Sequence, residues 1–463
     1  MNRLAFTFAA ILLLLPAAFS QQSSPALPTT SANPEFLKAA DEVLADVSKI
    51  ISLPVKSPLK KTVRTREEIR EFVLREVHEE RDAAKWHADQ LALETFGLIP
   101  RGFELQQFVV DLLTEQVAGL YDPKSKEFYI ADWIPLREQR MVMSHELVHA
   151  LQDQHFDIEP WSEAARPNDD AEMARHSVLE GAAIVGMLEY MLRAQNLSVR
   201  DLPDIEQFIR AQMVGEVDKN SQLAKSPAYI RDSLLFPYLA GTAFSQRILK
   251  AGGSWEKFYE IFSKPPASTH QILHPDLYLA GENVAPVWLA AAVKAVPGEW
   301  KKLDENTLGE FGVHALLKQF LGEERAQRFS PEWAGDSYAV FEQQKMKRVL
   351  LLFRLRLAAD PDAARFFGAY SEALELKYAT RASLFRRPNF FSFETAQGGV
   401  FFYCHHEECF TAEGATRAMF DRITRALRWP DAQRPAASGK PGEKIAGVPP
   451  LPVPRAYATH AAP

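Results

Sequence analysis

The stretch Met141 to His155, MVMSHELVHALQDQH, decides how the rest of the chain is read. It holds His145, Glu146 and His149 in the spacing H-E-x-x-H. Residues four apart on a helix lie one above the other, so the two imidazoles project from one side and can share a metal. Met143, Leu147, Ala150 and Leu151 fall on the opposite side as an apolar stripe. The spacing predicts a helix with a core side and a metal side, and zinc is the cation that such a pair of histidines suits.

A catalytic zinc takes three protein ligands and keeps a place for water. Two residues compete for the third position. Glu180 lies on the next helical pattern, DDAEMARHSVLEGAAIVGMLEYMLRAQ, whose same face carries Met173, His176 and Met187. Its Gly181, Ala182, Ala183 and Gly186 let another helix approach closely. His155 follows His149 by six residues, as in the longer motif H-E-x-x-H-x-x-G-x-x-H. That motif needs a glycine three residues after the second histidine, where the chain turns back, and this chain has Gln152, which continues a helix. Glu180 is the expected ligand and His155 the alternative. Asp153, four residues after His149, is the candidate to orient that imidazole.

Just before the metal helix, VAGLYDPKSKEFYIADW reads as two short strands around a turn at Asp122 to Lys126. An exposed strand there could take up an extended peptide by strand addition. Further upstream, Thr65 and Glu68 form a capping box for one long helix ending at Gly97, and a second helix covers 104 to 116. Residues 199 to 280 read as mainly helical. Within them SKPPASTHQILHPDLYLAGE is rich in turns and able to border a cleft. A developing oxyanion needs a donor, and among His270, His274, Tyr278 and Tyr238 the choice falls on His274, held stiffly beside Pro275.

The ends read differently. A basic Arg3, an apolar run from Leu4 to Phe19 and small residues at Ala18 and Ser20 predict a secretory signal peptide over 1–20. A flexible leader follows over 21–34. The domain carrying the metal motif spans 35–329, and a small α+β domain with strands, helices and a hairpin at Gln397 to Gly399 spans 330–429. A Pro-rich tail over 430–463 has too little apolar surface to order itself. The fold class expected is α+β, mainly helical, with a short β-hairpin before the metal helix. A formal charge of −7 without a basic cluster argues against a nucleic-acid partner. No later apolar stretch reaches membrane-span length, so an exported, soluble protein is expected. The two cysteines, Cys404 and Cys409, read as a hairpin disulfide or two thiols rather than a metal site.

HELVH followed by a helix carrying LEGAA resembles the gluzincins, zinc metallopeptidases with H-E-x-x-H and a downstream glutamate. The longer run TEQVAGLYDP, HELVHALQDQHFD and VLEG is similar to exported bacterial proteins described as metallopeptidases. The resemblance covers residues 114 to 181. It implies His145, His149 and Glu180 as zinc ligands, Glu146 as general base, and a peptide or protein substrate. The chain departs from many gluzincins at Ile184, where they place an aspartate four residues after the ligand glutamate. The expected function is an exported zinc peptidase. Its rivals are a metallohydrolase of non-peptide substrates and a non-catalytic envelope or secreted binding protein that keeps a metal for structure.

Overall fold

Phe36, Ala39, Ala40, Val43, Leu44 and Val47 recur at three- and four-residue steps along Pro34–Ile50, and all six are buried. This helix, α1, starts at the end of the expected leader. The computed structural model describes residues 34–430 except 81, 117–118, 204, 206–208 and 211–220. The expected signal peptide, residues 21–33 of the leader and residues 431–463 of the tail lie outside the described residues.

After α1 come β1 (Lys60–Arg64), α2 (Arg66–Glu80), α3 (Ala83–Phe96) and α4 (Leu105–Gln116). The capping box forms as expected, with Thr65 N–H donating to Glu68 at 2.8 Å and Glu68 N–H to the Thr65 hydroxyl at 3.3 Å. The single long helix does not: Asp82 accepts from Lys85 N–H at 2.8 Å and starts α3 as a separate helix. Gly97 closes α3 in the left-handed region, as predicted.

The hairpin is β2 (Gly119–Asp122) and β3 (Glu127–Ala131). It is not a free two-stranded edge, because β1 pairs parallel with β3 and makes the order β1-β3-β2. That leaves β2 as the hairpin's own edge, buried at all four residues, and β1 as the other edge of the sheet, exposed to half-buried. Then α5 (Leu136–Phe156) and α6 (Asp169–Leu192) follow, with α7 (Ala228–Gly252) beyond. Every residue of α5 from Val142 to Asp153 is buried, so the expected metal side is covered as fully as the core side. A helix covered all round is central, and here α1, α6 and the hairpin do the covering.

Two short helices, α8 (Thr269–Leu273) and α9 (Pro275–Leu279), precede β4 (Lys301–Asn306), α10 (Gly309–Leu321), β5 (Trp333–Gln343), β6 (Arg348–Leu357) and α11 (Asp360–Lys377). The chain closes with β7 (Ala382–Arg387), β8 (Phe390–Thr395), β9 (Gly398–His405), β10 (Glu408–Ala415) and α12 (Arg417–Ala426). β4 to β10 form one antiparallel seven-stranded sheet, so residues before Ser330 belong to it and the expected boundary there falls inside the unit. Alternate residues of β6 enter opposite cores: Leu351, Phe353 and Leu355 join the one shared with α3 and α11, Leu350 and Leu352 the one under α12. Burial on both faces explains the unbroken apolar run of that strand. Phe96 of α3 meets Tyr338 and Phe353 edge to face, which joins the helical part to the sheet. Cys404 and Cys409 form a disulfide across β9 and β10. The chain is therefore α+β and mainly helical. No helix among the described residues is long and apolar enough to cross a membrane.

Candidate metal centre

Small residues decide how close α6 and α7 come. A Cβ on Gly181 would stand 2.0 Å from Gly241 O, and one on Gly241 would stand 2.2 Å from Ser177 O. The two backbones thus touch. Gly186 does the same for α5, where a Cβ would meet Val148 Cγ2 at 2.7 Å. These contacts press the Glu180 face of α6 toward both His145 on α5 and Tyr238 on α7.

There His145, His149 and Glu180 converge. Glu180 Oε2 lies 3.2 Å from His145 Nε2 and 3.5 Å from His149 Nε2, and the two Nε2 atoms are 3.2 Å apart. Ligands about 2.0 to 2.2 Å from a tetrahedral zinc stand roughly 3.3 to 3.5 Å from one another. Glu180 Oε2 is buried, and its contacts with the imidazoles lack hydrogen-bond geometry. A shared cation fits that arrangement better than a proton does. His176, one turn before Glu180, stands 3.8 Å from its Oε1.

His149 Nδ1 lies 3.1 Å from Gln152 Oε1. With Nδ1–H donating, Nε2 is left bare toward Glu180 and His145. The orienting role expected of Asp153 therefore belongs to Gln152. Asp153 instead accepts from the Tyr121 hydroxyl at 2.6 Å, from Lys126 Nζ at 2.8 Å and from Ile158 N–H at 3.2 Å, which ties the hairpin to α5. His155 is outside the cluster: the helix runs past Gln152 to Phe156, and His155 Nε2 bonds Pro54 O at 2.8 Å.

Glu146 is fully buried beside the cluster. Its Oε2 accepts from Tyr121 N–H at 2.8 Å and its Oε1 has no hydrogen-bond partner. Burial pushes its carboxyl well above the ordinary range, against the pull of the Tyr121 N–H. Burial also works to raise Glu180, but His149, His145 and His176 outweigh it and hold that carboxyl below its ordinary range. Burial lowers His145, and it lowers His176 to about 4. These directions belong to the side chains alone, and a divalent cation would pull the carboxyls down.

His274, the expected oxyanion donor, does not join this group. Its Nε2 meets Glu310 at 3.0 Å. Tyr278 donates to Lys264 O at 2.7 Å. Tyr238 is the candidate that arrives: its ring lies along His145 at 6.4 Å between centroids, and its hydroxyl hydrogen-bonds Glu180. Burial, then Glu180 and Glu146, push that hydroxyl well above its ordinary range, so it stays a donor. The choice of His274 rested on its proline neighbour, a local property. Tyr238 stands where it does because Gly241, three residues on, sets the crossing of α6 and α7. Gln152, three residues after His149, is its neighbour on the helix surface as Asp153 is, so the spacing alone left both open.

Known proteins bear on a different part of the chain. A family model for a domain of unknown function, DUF8575, matches residues 297–424. That match covers the seven-stranded sheet and its helices, not the His145 cluster. No curated protein and no solved structure matches the chain.

Proposed function

We propose that the chain is an exported zinc-dependent hydrolase, and a peptidase by its resemblance to the gluzincins. The observation that carries the hydrolase reading is a pair of imidazoles and a carboxylate at zinc-ligand spacing, with Glu146 beside them and one of its oxygens free. Bound zinc supplies a Lewis acid that polarises a carbonyl and acidifies a water to a pKa of about 7. His145, His149 and Glu180 would hold it, with Gln152 keeping His149 in the required tautomer. Glu146 accepts the proton of the attacking water through Oε1 and passes it to the leaving amine, while Tyr121 N–H keeps its other oxygen aimed. Tyr238 is placed to donate to the oxyanion.

The covered hairpin edge removes one argument for a peptide, so substrate class rests on the resemblance. One observation favours a second reading, a metal kept for structure: His145, Glu146, His149 and Glu180 are each at most 2 % exposed.

The experiment is zinc analysis with a broad peptide-library digest. Glu146→Gln should keep zinc and fold yet lose about 10²- to 10⁴-fold in hydrolysis. Glu180→Ala should deplete zinc far more than His155→Ala. Cleavage by the Gln variant at the parent rate would remove Glu146 as base. A parent that binds zinc and cleaves nothing would favour the structural metal.

A further inference from the structure

We propose that His270, His274 and Glu310 form a second zinc site, separate from the His145 cluster. His270 lies in α8, and His274 is the joint between α8 and α9, so two imidazoles four residues apart face one another with ring centroids 4.7 Å apart. Glu310, the second residue of α10, stands between them. Its Oε2 is 2.5 Å from His270 Nδ1 and 3.0 Å from His274 Nε2. All three offer a donor atom within 4.8 Å of the others. Two imidazoles and one carboxylate are a donor set that zinc takes in sites with an open fourth position.

The two arms of this cluster are held from outside it. Thr269, next to His270, donates its hydroxyl to Asp170 at 2.5 Å and accepts Phe311 N–H at 3.1 Å, which stitches α8 to α10. Asp336 accepts Leu308 N–H at 2.7 Å, Gly309 N–H at 2.8 Å and the Trp333 indole N–H at 2.8 Å, fixing the start of α10 just before Glu310. A Cβ on Gly309 would stand 1.8 Å from Asp170 Oδ1, so the carboxyl lies directly on that backbone. Ligands braced in this way need little reorganisation to receive an ion. The His270–Glu310 contact opens by less than about 1 Å to reach the donor spacing of a tetrahedral site.

An open position is at hand. His270 and Glu282 line a cleft of about 460 Å³, and His274 is only partly buried. Glu282 is close enough to act on the charge of His274, so the fourth ligand can be that carboxylate or a water from the cleft. One helix touches both clusters: Asp170, which braces Thr269 beside the second, lies in the first turn of α6, and Glu180 of the first lies ten residues on, about 15 Å along its axis.

The test is zinc chloride titrated into the chelator-stripped full chain, with bound zinc counted after dialysis. The parent should hold two equivalents. His274→Asn, at the most accessible of the three ligands, should hold one with its circular dichroism unchanged, and Glu180→Ala should hold the other. If the parent holds one equivalent that His274→Asn loses and Glu180→Ala keeps, this site stands and the His145 cluster is not the zinc site. If His274→Asn binds as much zinc as the parent, or the parent binds none, the proposal fails and the three residues are an ion-pair brace between α8 and α10. The parent and His274→Asn counts decide it even if Glu180→Ala fails to fold.

Discussion

The backbone N–H of Tyr121 donates to Glu146 Oε2 at 2.8 Å, and the Tyr121 hydroxyl donates to Asp153 Oδ2 at 2.6 Å. One residue of the hairpin thus grips α5 at two points on either side of His149. The first contact occupies one oxygen of the candidate base and leaves the other free. The second uses the aspartate that the motif spacing had assigned to His149.

Gln152 is expected to matter through His149 alone. Gln152→Met keeps the length of the side chain and removes the acceptor of Nδ1–H. Zinc affinity, measured by competition with a chelator, should fall about 10- to 100-fold while the melting temperature of the metal-free protein stays near that of the parent. Unchanged affinity would mean that the His149 tautomer is set elsewhere.

The crossing of α6 and α7 is expected to be intolerant of a single methyl group. Gly241→Ala would bring Cβ to 2.2 Å from Ser177 O, and the helices can relieve that only by parting. The cost should be about 1 to 3 kcal/mol in denaturant unfolding, with weaker zinc binding because Glu180 and Tyr238 move with their helices. Gly368→Ala is the control. It lies within α11, is exposed and meets nothing within 4 Å, so it should gain up to about 1 kcal/mol from helix propensity. Equal effects from the two substitutions would show that the crossing is not the constraint.

Stability should depend on pH through Asp170. Burial raises its carboxyl from 3.8 to about 7, opposed by the Thr269 hydroxyl and assisted by Asp336. A raised folded-state value means that the group's contribution is fully present below about pH 4 and is lost as pH rises through 7. The climb corresponds to on the order of 4 kcal/mol. Asp170→Asn keeps an acceptor for Thr269 and cannot ionise. It should therefore melt above the parent at pH 8, with the gap closing as pH falls toward 4. A gap that stays constant between pH 4 and 8 would rule out titration of Asp170 as the cause.

The sequence by itself determined which residues of α5 could share a metal, because a separation of four on a helix sets a common side whatever surrounds it. It also determined where α2 begins and where α3 ends, through Thr65, Glu68 and Gly97, since caps are made by neighbours in the chain; the break between them at Asp82 was not read from it. Gln152 in place of glycine was enough to carry the helix past His155 and keep that residue out of the cluster. Tertiary structure decided the rest. Glu180 meets the histidines because Gly186 lets α6 lie against Val148 of α5, and it meets Tyr238 because Gly181 and Gly241 bring the backbones of α6 and α7 into contact; no periodicity within any one helix encodes those pairings. α5 is buried on all sides because α1, α6 and the hairpin close around it, although its own pattern shows a polar face. His274 was drawn to Glu310, forty residues beyond His270, and Tyr238 to Glu180, since each polar group in a buried setting takes the partner that packing delivers.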